Sequence, residues 1–291
     1  MLNGSRRWGA VDPAAGRDST AAACDDARVQ RDTTAHLALD VTSRARLVLE
    51  VAVSGVHAPD ETLTVTLDGR PLDAREVADP HGTRLHVLDV DPGRLVVDYR
   101  ATVTGRAAPM VGQDSDELLY LRPSRYCESD VLAPTARSEF AGLSGVDLLA
   151  AVSSWVGTRL AYVPGSSGPT DGAVSTLLAR QGVCRDYAHL VIALLRGLDV
   201  PARLVSVYAP GLAPMDFHAV AEAYLDDAWR VVDATTLAPR QSLVRIATGR
   251  DASDTAFLSV HRGTASLVEL QVGAVVDVLP DDDVRELVSI S

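Results

Sequence analysis

Lysine is missing from this 291-residue chain: all 27 of its basic residues are arginine. We read that as a coding bias without mechanistic content. The 39 acidic residues outnumber them and leave a formal net charge of −12. Such a chain is not built to hold nucleic acid or an anionic membrane surface as its main partner. No apolar run reaches the roughly 18 residues that a spanning helix needs. The N-terminus has no apolar core followed by a small-residue cleavage site, so the expectation is no signal peptide and a cytoplasmic location. Cysteine is scarce. Cys24, Cys127 and Cys184 are too widely spaced for a paired-cysteine metal site, and their odd number suits a reducing compartment. Gly165-Ser-Ser-Gly168 lacks the Lys-Ser/Thr of a phosphate loop. The sequence therefore calls for no cofactor and no metal.

What is present is 47% hydrophobic, the composition of a globular protein with room for two domains. Residues 1–28, rich in Gly, Ala, Asp, Arg and Ser, read as a disordered leader carrying Trp8 and Cys24. Residues 29–106 read as short strands: His36–Val41, Arg46–Val53, Thr62–Leu67, Arg84–Val90 and Arg94–Val103, with a hairpin signal at Asp68-Gly69. That pattern predicts an antiparallel, sandwich-like β domain, with His57, His81 and His86 as surface or packing residues. Residues 107–280 read as a second domain of mixed elements. Helices are expected over 143–160, capped by Ser144, over 174–180, and over 184–198 with one apolar stripe. Strands follow over 202–208, 218–225 and 228–235, with more near 243–247 and 267–278. Residues 281–291 read as an exposed acidic tail.

Cys184 stands where Gly182-Val183 leads into a long helix. The first amides of a helix lack internal partners and its dipole is positive there, which favours a thiolate and can hold an oxyanion. Alone, Cys184 reads equally as a small buried apolar residue. His218 opens a strand, and Asp233 lies near the end of the next. With Asp226-Asp227 as a two-residue turn, Leu225 pairs with Ala228 and Val220 with Asp233, so His218 and Asp233 share a face as diagonal neighbours. A carboxylate there accepts the imidazole N–H and fixes its tautomer. Each also has a plainer reading, His218 as a strand-end surface residue and Asp233 as an edge carboxylate. A one-residue slip would separate them. His189 reads as a packing or hydrogen-bonded residue, Cys127 as a partly buried structural thiol, Asp186 as a first-turn acid, Arg250 and Asp251 as a structural ion pair, and Gln181 as a solvated loop residue rather than a second oxyanion donor.

Three ordered blocks resemble bacterial transglutaminase-like proteins. They are Gly182-Val-Cys-Arg-Asp-Tyr-Ala-His-Leu190 with Val200-Pro-Ala-Arg203, Phe217-His-Ala219, and Val232-Asp-Ala-Thr235. Tyr120–Tyr126 and Gly249-Arg-Asp251 fit the same branch, and the resemblance spans about residues 30–278. It implies an α+β fold: a papain/transglutaminase-like core, helices packed on an antiparallel sheet, preceded by the β-sandwich-like domain. It implies Cys184 as nucleophile, His218 as base and then acid, and Asp233 as orienter, acting on amide or isopeptide bonds through an acyl-enzyme. Two positions depart from the family pattern: Val220 replaces a common aromatic and Ala234 a usual proline. The expected function is a cysteine peptidase or amidase with a protein or peptide substrate. The alternatives are a non-catalytic scaffold module of the same fold and an amine-transferring transglutaminase. Oligomeric state is not legible.

Overall fold

The computed structural model describes residues 29–110 and 112–290. The expected leader, with Trp8 and Cys24, lies outside the described residues.

Seven strands come first: β1 (Gln30–Ser43), β2 (Ala45–Leu49), β3 (Asp60–Leu67), β4 (Arg70–Pro71), β5 (Arg75–Ala78), β6 (Arg84–Val90) and β7 (Gly93–Thr104). Along β7, Leu95, Val97, Tyr99, Ala101 and Val103 are buried and the residues between them are not, the period-two alternation of a strand with one covered face. Five helices follow: α1 (Asp114–Leu119), α2 (Ser129–Glu139), α3 (Gly145–Arg159), α4 (Ala173–Ala179) and α5 (Cys184–Arg196). Short strands β8 (Ala161–Tyr162) and β9 (Gln181–Gly182) flank α4 and pair in parallel. The remaining strands are β10 (Ala202–Tyr208), β11 (His218–Leu225), β12 (Ala228–Val232), β13 (Val244–Gly249), β14 (Leu258–His261) and β15 (Thr264–Val276).

Two sheets, ordered β15-β1-β7-β3-β4 and β14-β2-β6-β5, form the sandwich, and a third, β12-β11-β10-β13, carries the helices. The fold is thus α+β with antiparallel sheets, as expected. The sandwich is completed by two strands from late in the chain. β15 pairs with β1 from Arg31 opposite Val276 to Ser43 opposite Thr264, and β14 pairs with β2. Both strands lie within residues 107–280 of the sequence and pair with strands of residues 29–106.

α5 differs from its expected single stripe. Every residue from Asp186 to Arg196 is buried, because α3, α4 and the sheet all pack around it. Its last residue, Arg196, ties it down by donating to the carbonyls of Ala202 (2.9 Å), Arg122 (3.0 Å) and Arg250 (2.7 Å). The acidic tail is not free either. The Val231 N–H donates to the Val288 carbonyl at 2.8 Å, Arg240 pairs with Asp282 at 2.8 Å, and Val288 and Ile290 are buried. The apolar residues interleaved with those acids give the segment a face to bury. Among the described residues, no helix is long and apolar enough to cross a membrane.

On the third sheet, Arg203, Glu222 and Arg245 form a wholly buried network. Arg203 donates to Glu222 Oε2 at 2.8 Å and Arg245 to Oε1 at 2.5 Å, while the Arg203 guanidinium lies 3.8 Å from the centre of the Trp229 ring. Burial pushes the Glu222 carboxyl up, but the two guanidiniums pull it further the other way, to about 2.

Candidate active site

Cys184 is the first residue of α5 and is partly exposed. Val183, before it, has no side-chain acceptor for the helix's free amides, and Asp186 supplies one from inside the first turn. Asp186 Oδ2 accepts the Val183 N–H at 2.8 Å, and Oδ1 accepts the Ser167 hydroxyl at 2.8 Å. A Cβ on Gly182 would stand 2.6 Å from that of Asp186, so only glycine lets the carboxylate reach back over the turn. The Gly-Val-Cys-Arg-Asp block is thus a self-capped helix start with a cysteine at its positive end.

The β11–β12 hairpin has the expected register, with Leu225 opposite Ala228 and Ala221 opposite Val232. Its turn residues Asp226 and Asp227 both have positive φ, 52° and 56°, the backbone of a type I′ turn. One step beyond the last pair, Asp233 falls beside His218. Asp233 Oδ2 lies 3.0 Å from His218 Nε2, and both side chains are buried. Oδ1 accepts both the N–H (2.8 Å) and the hydroxyl (2.7 Å) of Thr235, which locks the carboxylate plane. From the other side, α3 closes on this segment. Ser153 donates to the Asp233 carbonyl, and a Cβ on Gly157 would stand 2.7 Å from the Ala234 oxygen.

Burial alone pushes the His218 imidazole down. The charge and hydrogen bond of Asp233, then the Cys184 thiol, outweigh it and raise the ring to about 10. Asp233 is lowered despite burial, chiefly by the His218 charge and hydrogen bond and then by Thr235. His218 Nδ1 is buried without a full hydrogen bond, and Cys184 and His218 line one cavity of about 760 Å³. The three expected residues are therefore gathered at one place.

Other expectations fare differently. Cys127 is fully buried, and burial first of all pushes its thiol up to about 12. His189 is buried under the Tyr126 ring, with Nε2 accepting the Ala252 N–H at 3.1 Å. Arg250 and Asp251 do not pair. Arg250 reaches Asp254 at 2.7 Å, four residues on, and Asp251 accepts the N–H groups of Tyr126 and Ser253. The 251–255 turn curls so that Asp254, not Asp251, meets the guanidinium. Gln181 is exposed.

Tyr162 is a site residue that the sequence reading passed over. Its strand β8 runs beside β9, with Tyr162 opposite Gly182. Burial first, then the neighbouring Cys184 thiol, raise its hydroxyl to about 12, while the Cys184 N–H it accepts works in the other direction. A two-residue strand has no periodicity to read. Among the described residues, no group of three or more His, Cys, Asp or Glu could hold a metal ion.

Residues 141–234 match the model of the transglutaminase-like superfamily. A solved "putative cysteine protease" from Cytophaga hutchinsonii is 33% identical, with a TM-score of 0.78 over 88% of this chain and 92% of that one. The chain belongs to the transglutaminase-like superfamily. Uncharacterized mycobacterial proteins of the curated set also match. One from Mycobacterium leprae is 29% identical over 119 residues, 37% of this chain and 42% of its own length. One from Mycobacterium tuberculosis H37Rv is 41% identical over 63 residues, 22% of this chain and 20% of its own length. This superfamily member thus spans less than half of the curated relatives it matches.

Proposed function

We propose that this chain is a cysteine hydrolase that cleaves amide or isopeptide bonds, with Cys184 as nucleophile, His218 as proton carrier and Asp233 as orienter. The observation that carries the reading is the His218–Asp233 bond at 3.0 Å, with His218 lining the cavity that also holds Cys184. Asp233 occupies Nε2 and leaves Nδ1 to exchange a proton with sulfur. A ring held protonated through neutral pH stabilises a thiolate beside it, and the positive end of α5 adds to this. The Tyr162 hydroxyl neighbours the same sulfur.

The thiolate attacks the carbonyl carbon. The positive end of α5 faces the oxyanion that forms. Collapse breaks the C–N bond, His218 gives its proton to the departing amine, and an acyl-thioester remains on Cys184. Water attacks this thioester, His218 takes the proton, and the carboxylic acid leaves as thiolate and imidazolium are restored. The cysteine-protease description of the Cytophaga hutchinsonii relative favours water over an amine as the second nucleophile.

The test is p-nitrophenyl acetate with the full chain. The expected result is a burst of p-nitrophenolate matching the enzyme in amount, an acetyl group on Cys184 by mass spectrometry, and loss of both in Cys184→Ala. No burst, or acetylation spread evenly over Cys24 and Cys184, would sink the reading.

A further inference from the structure

The buried carboxyls among the described residues are Glu50, Asp116, Asp186, Glu222, Asp233 and Asp251. All but one have their own donors. Asp186 takes the Val183 N–H, Glu222 two guanidiniums, Asp233 His218 and Thr235, Asp251 two backbone N–H groups, and Asp116 the Gln113 N–H. Glu50 is the exception. It is 6% exposed, and its Oε2 is buried with no hydrogen-bond partner. Burial, then the like charges of Asp79 and Asp254, push its carboxyl up to about 8, which is the mark of an acid left without a cation.

Glu50 directly follows β2, so the sandwich contributes it, and its backbone N–H is fixed on the Phe257 carbonyl at 3.1 Å. Its side chain lines the cavity that holds Cys184 and His218. A second orphan lines that cavity too: the Ser206 hydroxyl is buried without a partner. Leu204, Ile246, Phe257 and Leu258 supply apolar wall between the polar groups. Asp216 adds a further acid at the mouth, where it is exposed. The lining arginine, Arg185, is engaged elsewhere, donating to the Ser167 hydroxyl at 2.6 Å and the Gly168 carbonyl at 2.9 Å.

We propose that Glu50 is the specificity residue of the cleft and receives the primary ammonium of a lysine-type side chain of the substrate. The inference rests on the reading of this cavity as a substrate cleft. An ammonium carries three donors and a full charge, so it can meet the Glu50 carboxylate and the Ser206 hydroxyl together. Its methylene stem suits the apolar wall. With its carboxyl pushed up to about 8, Glu50 is largely protonated in the empty cleft near neutral pH; the charge of an ammonium draws it into the carboxylate on binding, which a neutral carboxamide cannot do. A buried, unpaired acid is costly to keep, and its place in the wall of the cavity that also holds Cys184 gives it a use.

The test is binding of three small probes to the full chain by ligand-observed NMR: the Nα-acetyl N-methylamides of lysine, norleucine and glutamine. The lysine probe should bind roughly tenfold to a hundredfold tighter than the isosteric norleucine probe, the size of one desolvated charged hydrogen bond. In Glu50→Gln the preference should fall to within about twofold. Ser206→Ala should weaken only the lysine probe, by a few-fold, and serves if Glu50→Gln does not fold. Equal binding of lysine and norleucine probes, a preference that survives in Glu50→Gln, or tighter binding of the glutamine probe would overturn the proposal. The titration does not use the thiol. An inert Cys184 in the burst assay therefore leaves a positive result here standing, and a reactive Cys184 does not rescue a negative one.

Discussion

Two buried imidazoles sit within one domain and behave in opposite ways. His218 is 2% exposed and is raised to about 10, whereas His189 is fully buried and pushed down to about 3. Burial acts downward on both. The difference is the carboxylate each one meets. Asp233 turns one oxygen to the His218 ring and fixes the other on Thr235. Asp251, near His189, is occupied by the N–H groups of Tyr126 and Ser253, and Arg185 and Arg196 add opposing charge. His189 accordingly serves as a neutral acceptor for the Ala252 N–H, and His218 as a charged partner for Asp233. A buried histidine becomes a cation only where a carboxylate is left free for it.

Removing that carboxylate should have the largest effect. Asp233→Asn should cut the acylation rate in the burst assay by about four orders of magnitude, the loss seen when an orienting aspartate is made an amide. It should also slow iodoacetamide alkylation of Cys184. An unchanged rate would mean that His218 needs no counter-charge.

The second contrast is with cations that cannot discharge. When a histidine loses its carboxylate it sheds a proton, but Arg203 and Arg245 must keep theirs around Glu222. Glu222→Gln should therefore cost about 3–5 kcal/mol of stability, read by thermal or denaturant melting. A loss below about 1 kcal/mol would show the network to be hydrated.

His189→Phe should have a smaller effect. It leaves the Ala252 N–H without its acceptor and should cost about 1–3 kcal/mol, with Cys184 alkylation unaltered in its pH dependence. A changed profile would make His189 part of the chemistry. Tyr162→Phe should be the mildest, slowing alkylation of Cys184 a few-fold and costing at most about 1 kcal/mol of stability, because one hydroxyl beside the sulfur is lost.

The site was readable where local pattern and geometry coincide. Asp226-Asp227 sets the β11–β12 register, and the register alone puts Asp233 beside His218. Gly182 and Asp186 mark the start of α5 in the same way. Other features are decided far away along the chain. β15 joins β1, and Glu50 reaches the cleft from the sandwich; neither leaves a periodic trace. α2 carries Pro134 inside it, a residue that argues against a helix, and it persists because Leu132 and Ala136 are buried in the core around α5. The Arg250–Asp254 pair needed the turn's curl, which the sequence order of Arg250-Asp251 conceals.

The central claim is that Asp233 keeps the His218 ring charged. The direct measurement is an NMR titration of the full chain with labelled histidine rings, assigned with His218→Gln and His189→Gln. The His218 ring should stay protonated through neutral pH and lose its proton only near pH 10, and in Asp233→Asn that midpoint should fall by several units, while His189 stays uncharged down to about 3. Stability from the pair should be full below the unfolded midpoint of about 6.5 and fade as pH rises through the folded one. A His218 ring that titrates near 6.5, with or without Asp233, would contradict the account.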